Sequence, residues 1–252
     1  MERFLRTELL LGRDKIELLK HATVVVAGLG AVGSYAVEGL ARSGVGNLRV
    51  IDIDTIKKSN INRQIFALES TLGRSKAETA AERVKDINPR CNVEAMNLFI
   101  HYDTMDEVLK RPVSFVVDAI DSLNPKIELL SAAYKSGIPV VSSMGAALRT
   151  DVSKIKTGDI FSTHSCPLAK IVRKRLRNRG VGQGIRCVYS TEMVTFEYEN
   201  AMENTADEGP EYKRGRERRT LGSLSTIPGI YGLILANMVI EGITPERTLL
   251  SR

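Results

Sequence analysis

The sequence contains few of the residues that build disulfide frameworks or zinc sites. Its 252 residues include 3 cysteines, 3 histidines and no tryptophan. Cys91, Cys166 and Cys187 are odd in number and far apart, so they exclude a disulfide framework and supply no C-x-x-C pair for zinc. The histidines at positions 21, 101 and 164 show no spacing typical of metal ligands. We therefore expect a protein of a reducing compartment, with the cytoplasm as its location.

Repetitive and long uncharged segments are also scarce. No internal repeat or low-complexity tract occurs, and the N-terminal sequence MERFLRTELLLGRDK has too many charges and too short an apolar run for a signal peptide. The exception is residues 220–240, which carry no charged side chain. Pro228 and three glycines in this stretch favour a buried helix at a subunit or domain contact over a membrane span. We expect no stable membrane insertion.

Acidic side chains are missing from residues 160–190, where seven basic residues occur. The whole chain has a formal net charge of +6, with 36 Lys and Arg against 30 Asp and Glu. A basic block without acidic neighbours is typical of a surface that binds a polyanion. Six of the seven lie in or just after a predicted helix over residues 167–179: Lys170, Arg173, Lys174, Arg175, Arg177 and Arg179.

A nucleotide-binding signature begins at residue 24. A short β-branched run, VVV, is followed by Gly28, Gly30 and Gly33 in G-x-G-x-x-G spacing and then by a helical pattern. A second buried-strand pattern ends in Asp52 and Asp54, about twenty residues past the turn, where a carboxylate can bind ribose hydroxyls. This pattern predicts a βαβ unit. By itself it leaves three interpretations open: NAD or FAD, ATP, or a structural turn.

Strand and helix patterns alternate through residue 142 and predict an α/β fold. We expect a Rossmann-like, mostly parallel sheet with helices on both faces, and a C-terminal extension of short strands, a basic helix and an apolar helix. Residues 1–150 form the predicted nucleotide-binding part, and residues 151–252 form the extension, packed with it as one globular unit. Residues 186–198 predict two short strands or a hairpin, and residues 199–219 a mobile surface loop.

The carboxyl ends of the predicted strands carry the glycine turn, Asp52, Asp54, Asp118 and Asp121. Ligands of parallel sheets bind at this edge, so these residues are expected to converge on one crevice. Asp118 has a second interpretation, as a cap at the end of its strand.

Five motifs in order resemble a known family. GLGAVG, GVGNLRVIDID, SNINRQ, GRSK and DAID, over residues 28–121, are similar to the ATP-dependent adenylating enzymes related to ubiquitin-activating enzyme and to the adenylyltransferases of molybdopterin and thiamine biosynthesis. CPLAKIVRKRLRNRG and CVYSTE resemble the branch that dehydrates threonylcarbamoyladenosine in tRNA. Two positions depart from the pattern, because Ser122 replaces a frequent Asn and Cys166 replaces an Asp.

The resemblance implies ATP and Mg²⁺ as ligands and assigns roles to residues. Asp52 would bind the ribose, Asp121 would hold Mg²⁺, and Arg6 would enter the ATP site of a partner subunit, which implies a homodimer. Further contacts to the nucleotide, mainly to its triphosphate, would come from Asn60, Arg63, Gln64 and Lys76, together with Gly28, Gly30, Ala31, Gly33, Asp54 and Asp118. Of these residues, Arg63, Lys76, Asp121 and Arg6 would be catalytic.

The resemblance also implies tRNA as the partner, with the basic helix on the phosphates of the anticodon arm. Three alternatives stay open at this point. The acceptor could be the C-terminal glycine of a sulfur-carrier protein, or the chain could be a nicotinamide-dependent oxidoreductase or a nucleotide sensor without catalysis. A sulfur-relay protein partner is possible if Cys187 carries a persulfide or thioester, although a buried structural cysteine is the commoner case.

Overall fold

A computed structural model of the chain describes residues 2–194 and 221–245, and the predicted loop at 199–219 lies outside them. Seven strands form one sheet: β1 (Thr23–Ala27), β2 (Asn47–Ile51), β3 (Asn92–Met96), β4 (Phe115–Asp118), β5 (Val140–Ser143), β6 (Ile155–Asp159) and β7 (Arg186–Ser190). The helices are α1 (Leu5–Leu11), α2 (Arg13–His21), α3 (Gly33–Arg42), α4 (Lys76–Ile87), α5 (Met105–Val108), α6 (Leu123–Lys135), α7 (Pro167–Asn178) and α8 (Thr226–Ile243).

The strand order is β3-β2-β1-β4-β5-β7-β6, and every neighbouring pair is parallel except β6 with β7. The predicted fold class is confirmed. The two predicted parts share this sheet, since β7 pairs with β5 along Val141↔Arg186 and Ser143↔Val188. The sequence predicts two short strands or a hairpin over residues 186–198: β7 is one strand in this range, and residues 195–198 lie outside the described part. The antiparallel partner that the structure shows for β7 is β6, with residues 160–185 between the two strands.

Two hydrophobic cores cover the two faces of the sheet. Val24 and Val26 of β1 face the core built by α2, α3, α4 and α8, whereas Val25 and Ala27 face the core built by α5, α6 and α7. Because both faces are covered, the central strands are apolar on both sides and show no alternation, as expected of a parallel sheet. This explains why VVV predicted a buried strand.

Helix α8 packs most closely against α3 and also contacts β5 and β7. In the described part of the chain it alone is long and apolar enough to cross a membrane, and half of that window is buried inside the protein. Gly232 permits the close approach of the two helices. A Cβ atom there would lie 2.3 Å from the carbonyl oxygen of Val32 and 2.7 Å from the Cβ of Tyr35. The contact of α8 with α3 therefore requires glycine at this position.

We expect Gly232→Ala to lower the free energy of unfolding by about 1–3 kcal/mol, because the added methyl group overlaps the backbone of residue 32. The intrinsic preference of helices for Ala acts in the opposite direction by about 1 kcal/mol, so a loss identifies the packing contact. The measurement is urea unfolding followed by circular dichroism. Gly158→Ala is the control, since no atom lies within 4 Å of a Cβ there. Equal unfolding midpoints for the two variants would contradict the packing of α8 on α3.

Candidate active site

The candidate site lies at the carboxyl edge of the parallel strands, as expected for this sheet type. The glycine turn follows β1, Asp52 follows β2, residues 119–122 follow β4 and residues 144–149 follow β5. One crevice therefore combines residues that are up to about 120 positions apart in the chain.

Each glycine of the turn has a different environment. Gly28 has φ +84°, and a Cβ there would lie 2.8 Å from the carbonyl oxygen of Ala119. Gly33 begins α3, where a Cβ would lie 1.8 Å from the carbonyl oxygen of Gly28. Beside Gly30 and Ala31 the turn is more open, since the nearest atom to a Cβ on Gly30 is the side-chain nitrogen of Gln64 at 3.8 Å. The backbone at Gly30 can thus approach a phosphate at the N-terminus of α3.

Asp52 joins the glycine turn to the end of β2. Its Oδ2 accepts a hydrogen bond from the amide of Leu29 at 2.7 Å, and its Oδ1 accepts one from the amide of Asp54 at 2.9 Å. The side chain is 11% exposed, and burial raises its pKa above the usual value against the opposing charge of Lys76. Each carboxylate oxygen keeps a second lone pair, so the group can still accept hydrogen bonds from ribose hydroxyls.

Lys76 brings a cation to the same edge. Its Nζ lies 2.9 Å from Oδ2 of Asp54 and 3.9 Å from Oδ2 of Asp52, and its side chain is 7% exposed. Ser75 caps α4 by accepting the amide of Glu78, and the Lys76 amide donates to the carbonyl oxygen of Asp54 at 3.1 Å. The helix start and the β2 end therefore fix this lysine where a phosphate oxygen could bind it.

Asn60 organises the loop that carries Arg63 and Gln64. Its Oδ1 accepts the amide of Lys57 at 3.0 Å, and its carbonyl oxygen accepts the amides of Arg63 and Gln64 at 3.0 and 2.9 Å. Nη1 of Arg63 donates to the carbonyl oxygen of Ser59 and to Oδ1 of Asn62, both at 2.8 Å. Both oxygens of Asn60 thus accept hydrogen bonds within the loop, and its side-chain amide nitrogen is the group that could donate to a ligand.

Asp118 differs from its predicted role as a nucleotide contact. It is fully buried, and its Oδ2 accepts hydrogen bonds from Nζ of Lys126 at 2.5 Å and from Oγ of Ser142 at 2.6 Å. Its Oδ1 accepts the amide of Ile120 at 3.1 Å. The carboxylate faces the interior, so we remove it from the set of nucleotide ligands and retain the second interpretation, a group that fixes the strand end.

Lys126 is a positioning residue that the sequence analysis missed. It is fully buried, and besides Asp118 it donates to the carbonyl oxygen of Ser143 at 3.0 Å. We call Asp118, Lys126, Ser142 and Ser143 the buried clamp. The clamp ties the ends of β4 and β5 to the first turns of α6. A signal was present in the sequence, because Lys126 shares one helical face with Leu123, Ile127 and Leu130, where a charge is unexpected.

Asp121 lies on the exposed loop from β4 to α6, between the clamp residues Asp118 and Lys126 in the sequence. Within residues 2–194 and 221–245, no group of three or more His, Cys, Asp or Glu side chains is placed to hold a metal ion. Mg²⁺ commonly binds one or two carboxylates together with substrate phosphates and water. A single exposed aspartate beside the glycine turn fits that mode of binding.

The basic residues of α7 fall into two groups. Arg173 donates to the carbonyl oxygen of Thr163 at 2.8 Å, Arg175 donates to Oδ1 of Asn124 at 2.5 Å, and Arg179 pairs with Glu128. The second group is Lys170, Lys174 and Arg177, which are exposed at i, i+4 and i+7 on one helix face. Arg177 also lies 5.3 Å from the ring centroid of Phe161. Arg175 and Arg179 are exposed as well, but their guanidinium groups already bind protein atoms.

Arg6 lies at the opposite end of the sheet from the crevice of its own chain. The ring of Phe4, two residues away, packs against Gly44, which precedes β2. The crevice is at the other end of α3, a helix of 10 residues and therefore about 15 Å long. The predicted role of Arg6 thus requires a second copy of the chain.

The three cysteines are buried. Burial raises the pKa of the Cys91 thiol to about 11 and that of the Cys187 thiol to about 12. Because the thiolate is the nucleophile, neither residue is primed for sulfur transfer. The structural interpretation of Cys187 therefore fits its surroundings better than an acceptor of sulfur.

Comparisons with known proteins match the chain over nearly its whole length. The sequence model of the ThiF family matches residues 3–250. A tRNA threonylcarbamoyladenosine dehydratase from Bacillus subtilis is 37% identical over 240 residues, covering 95% of this chain and 94% of that protein. Solved structures of the E. coli tRNA N6-threonylcarbamoyladenosine dehydratase with AMP and with ATP are 32% identical, cover 96% of this chain and 94% and 93% of theirs, and give TM-scores of 0.84 and 0.83.

A more distant similarity covers half of the chain. The molybdopterin-synthase adenylyltransferase of Salmonella typhimurium is 35% identical over 135 residues, which is 54% of this chain. The dehydratase of Bacillus subtilis thus matches a much larger share of the chain than this adenylyltransferase does.

We expect Lys126→Met to lower the free energy of unfolding by about 3–5 kcal/mol, because it leaves the Asp118 carboxylate buried without its partner. Adding Asp118→Asn should recover part of this loss, since the uncompensated charge is then removed. The measurement is urea unfolding of the two single variants and the double variant. Lys135→Met, at the exposed end of the same helix, should stay within about 0.5 kcal/mol of the wild type. Simple addition of the two single effects would contradict the coupling.

Proposed function

The chain belongs to the ThiF family, and on that premise we propose that it catalyses the ATP-dependent dehydration of N6-threonylcarbamoyladenosine in tRNA. The observation that carries the proposal is the 37% identity over 95% of the chain to a dehydratase of this modification, since the adenylyltransferase matches only 54% of the chain. The crevice supports it with a phosphate-binding turn, a carboxylate suited to ribose and a fixed lysine.

The proposed chemistry has two steps. One oxygen of the threonyl carboxylate attacks the α-phosphorus of ATP, the bond to the β-phosphate oxygen breaks, and pyrophosphate leaves. A nitrogen of the carbamoyl group then attacks the activated carbonyl carbon, closes a five-membered ring, loses its proton and expels AMP. The ring closure is intramolecular, so proximity supplies a high effective concentration of the nucleophile. The net change in the nucleoside is loss of one water.

The residues of the crevice would stabilise the charge that grows on the leaving pyrophosphate. Lys76 and Arg63 are the proposed cations, and Asn60 and Gln64 would donate amide hydrogen bonds to the triphosphate. Asp52 would hold the ribose, and binding of the phosphates would replace the present contact of Lys76 with Asp54. Asp121 would hold Mg²⁺, which shields the phosphate charges when bound.

The exposed face of α7 would bind the phosphates of the anticodon arm through Lys170, Lys174 and Arg177. Charged groups in this position contribute affinity without reading sequence and weaken as salt rises. Arg173, Arg175 and Arg179 would contribute less, because their guanidinium groups already bind protein atoms.

We also propose a homodimer in which Arg6 completes the ATP site of the partner subunit. Three observations support an uncovered interface: Leu9 and Leu10 beside Arg6 are 78% and 82% exposed, Leu233 on α8 is 50% exposed, and a mostly apolar groove of about 450 Å³ lies between α8 and the strands β6 and β7. A sulfur-relay protein partner stays a prediction for which Cys187 offers no primed thiol. Cytoplasmic location follows from the tRNA substrate as an expectation.

We expect purified protein to form AMP from ATP with tRNA that carries threonylcarbamoyladenosine, and not with the same tRNA lacking it. Mass analysis of the nucleosides should show loss of one water from the modified base. Lys76→Ala and Arg63→Ala should reduce AMP formation at least a hundredfold, because each removes a cation from the developing phosphate charge. Lys135→Ala, remote from the crevice, is the matched control and should retain wild-type activity.

The same assay distinguishes the dehydratase from an adenylyltransferase that acts on a sulfur-carrier protein. If neither tRNA yields AMP while a sulfur-carrier protein with a C-terminal glycine does, the proposal is wrong and an adenylyltransferase is the better assignment. If no carboxylate supports AMP formation or ATP–pyrophosphate exchange, a nucleotide sensor remains.

We expect the double variant Lys170→Ala/Lys174→Ala to reduce the slope of log Kd against log salt concentration by about 2 for tRNA binding, since each lysine releases about one counterion. The measurement is a filter-binding titration at several salt concentrations. Lys110→Ala/Lys135→Ala removes the same charge from exposed positions near the other end of the sheet and should leave the slope unchanged. An identical slope for both double variants would place the tRNA elsewhere.

A further inference from the structure

Two buried polar groups near the crevice lack hydrogen-bond partners. The side chain of Arg149 is 3% exposed, and its Nε and Nη1 make no hydrogen bond within the described structure. The hydroxyl of the fully buried Tyr231 likewise makes no hydrogen bond within 3.5 Å there, although the Ser190 side chain is near enough to lower its pKa. Buried polar groups are nearly always paired, and an unpaired buried cation costs far more than a neutral group. This pair of groups therefore requires an explanation.

The two groups are close enough to affect each other. Burial raises the pKa of the Tyr231 phenol, and the positive charge of Arg149 opposes that rise. The phenol therefore stays protonated and can donate a hydrogen bond. Together the guanidinium and the hydroxyl offer donors and no anionic acceptor, which is the composition of a site for an oxyanion.

Glu192, whose carboxylate is influenced by the charge of Arg149, already accepts hydrogen bonds from other donors. The carboxylate of Glu192 accepts the amides of Thr150 and Asp151, at 3.0 Å each, and the hydroxyl of Thr150 at 3.1 Å. The hydrogen bond from the Asp151 amide, then those from Thr150 and last the positive charge of Arg149, lower the pKa of Glu192, and its carboxylate oxygens are directed at the backbone. Among the described residues Arg149 forms no ion pair.

A second buried arginine shows how a guanidinium with a structural role is paired in this fold. Arg49 is 6% exposed, and it donates to Oε2 of Glu94 at 2.6 Å and to the carbonyl oxygens of Val108 and Lys110 at 2.9 Å each. Arg149 is as deeply buried and has none of these partners. A structural role explains Arg49 but not Arg149.

The location connects Arg149 with the reaction. Arg149 follows β5, and β5 neighbours β4, whose following loop contacts the glycine turn. β1 and β5 are two strand spacings apart, or about 10 Å, which leaves room for a second reactant beside the nucleotide. Leu148, directly before Arg149, has φ +60°, a strained conformation that occurs preferentially at functional sites.

We propose that Arg149 and Tyr231 bind the threonyl carboxylate of the modified adenosine, with one oxygen held and the other directed at the α-phosphate. This assignment rests on the proposed function. A carboxylate at the end of a slender side chain can enter an enclosed site, whereas a backbone phosphate between two nucleotides fits only an exposed surface such as that of α7. Arg149 and Tyr231 thus select the substrate by its modification, and α7 binds the RNA that carries it.

The test compares the Kd of modified and unmodified tRNA in the absence of ATP. We expect the wild type to prefer the modified tRNA at least tenfold. Arg149→Met should lose this preference and keep its affinity for unmodified tRNA and for ATP. Arg149→Lys should retain part of the preference, and Tyr231→Phe should reduce the preference several-fold. Arg90→Met and Tyr134→Phe make the same chemical changes at positions away from the carboxyl edge and should match the wild type.

Thermal unfolding provides a readout that a structural role would move in the opposite direction. Removing an unpaired buried charge should leave the melting temperature of Arg149→Met unchanged or raised, whereas Arg49→Met should lower it. The inference is overturned if Arg149→Met keeps the preference for modified tRNA. It is also overturned if the variant binds both tRNAs more weakly by the same factor, which would identify an RNA phosphate as the ligand, or if it binds ATP more weakly. If the wild type itself shows no preference and forms no AMP with modified tRNA, the proposed function fails and the carboxylate assignment fails with it.

Discussion

The buried pair of Asp118 and Lys126 is the interaction on which the geometry of the crevice depends. Both side chains are fully buried, and each charge is costly to desolvate, so they are stable only together and with the hydroxyl and carbonyl oxygens around them. The clamp fixes the loop after β4, and the backbone of Ala119 in that loop leaves room only for a glycine at position 28. The glycine turn and Asp121 thus take their positions from one ion pair that contacts no ligand.

The sequence predicted the parts of the molecule that are encoded locally. The strand, turn and helix from residue 23 to residue 42 follow from a short apolar run and the spacing of three glycines, and Asp52 follows from its distance along the βαβ unit. It could not predict which strands pair across the chain, because the partners of β7 are separated from it in sequence. It left two roles open for Asp118, since a carboxylate at a strand end looks the same in the sequence whether it faces solvent or a buried lysine.

The candidate site contains buried charged groups that are costly for the stability of the folded chain but suited to binding a ligand. Burial disfavours the ionised form of Asp52, yet its carboxylate is the group suited to ribose. Within the described residues Nε and Nη1 of Arg149 make no hydrogen bond, and Lys76 is a nearly buried cation held by two carboxylates. All three lie at the carboxyl edge of one sheet. Asp52 and Lys76 would bind the nucleotide, whereas Arg149, together with Tyr231 and α7 from the second half of the chain, would bind the modified RNA.

The central claim is that the crevice activates a carboxylate as an acyl-adenylate. The most direct measurement uses tRNA whose threonylcarbamoyl group carries ¹⁸O in both carboxylate oxygens, followed by mass analysis of the nucleotide products. Attack on the α-phosphorus transfers one labelled oxygen to AMP and leaves one in the cyclised nucleoside, and this is the predicted result. AMP without label, or label in inorganic phosphate formed together with ADP, would contradict adenylation of the threonyl carboxylate.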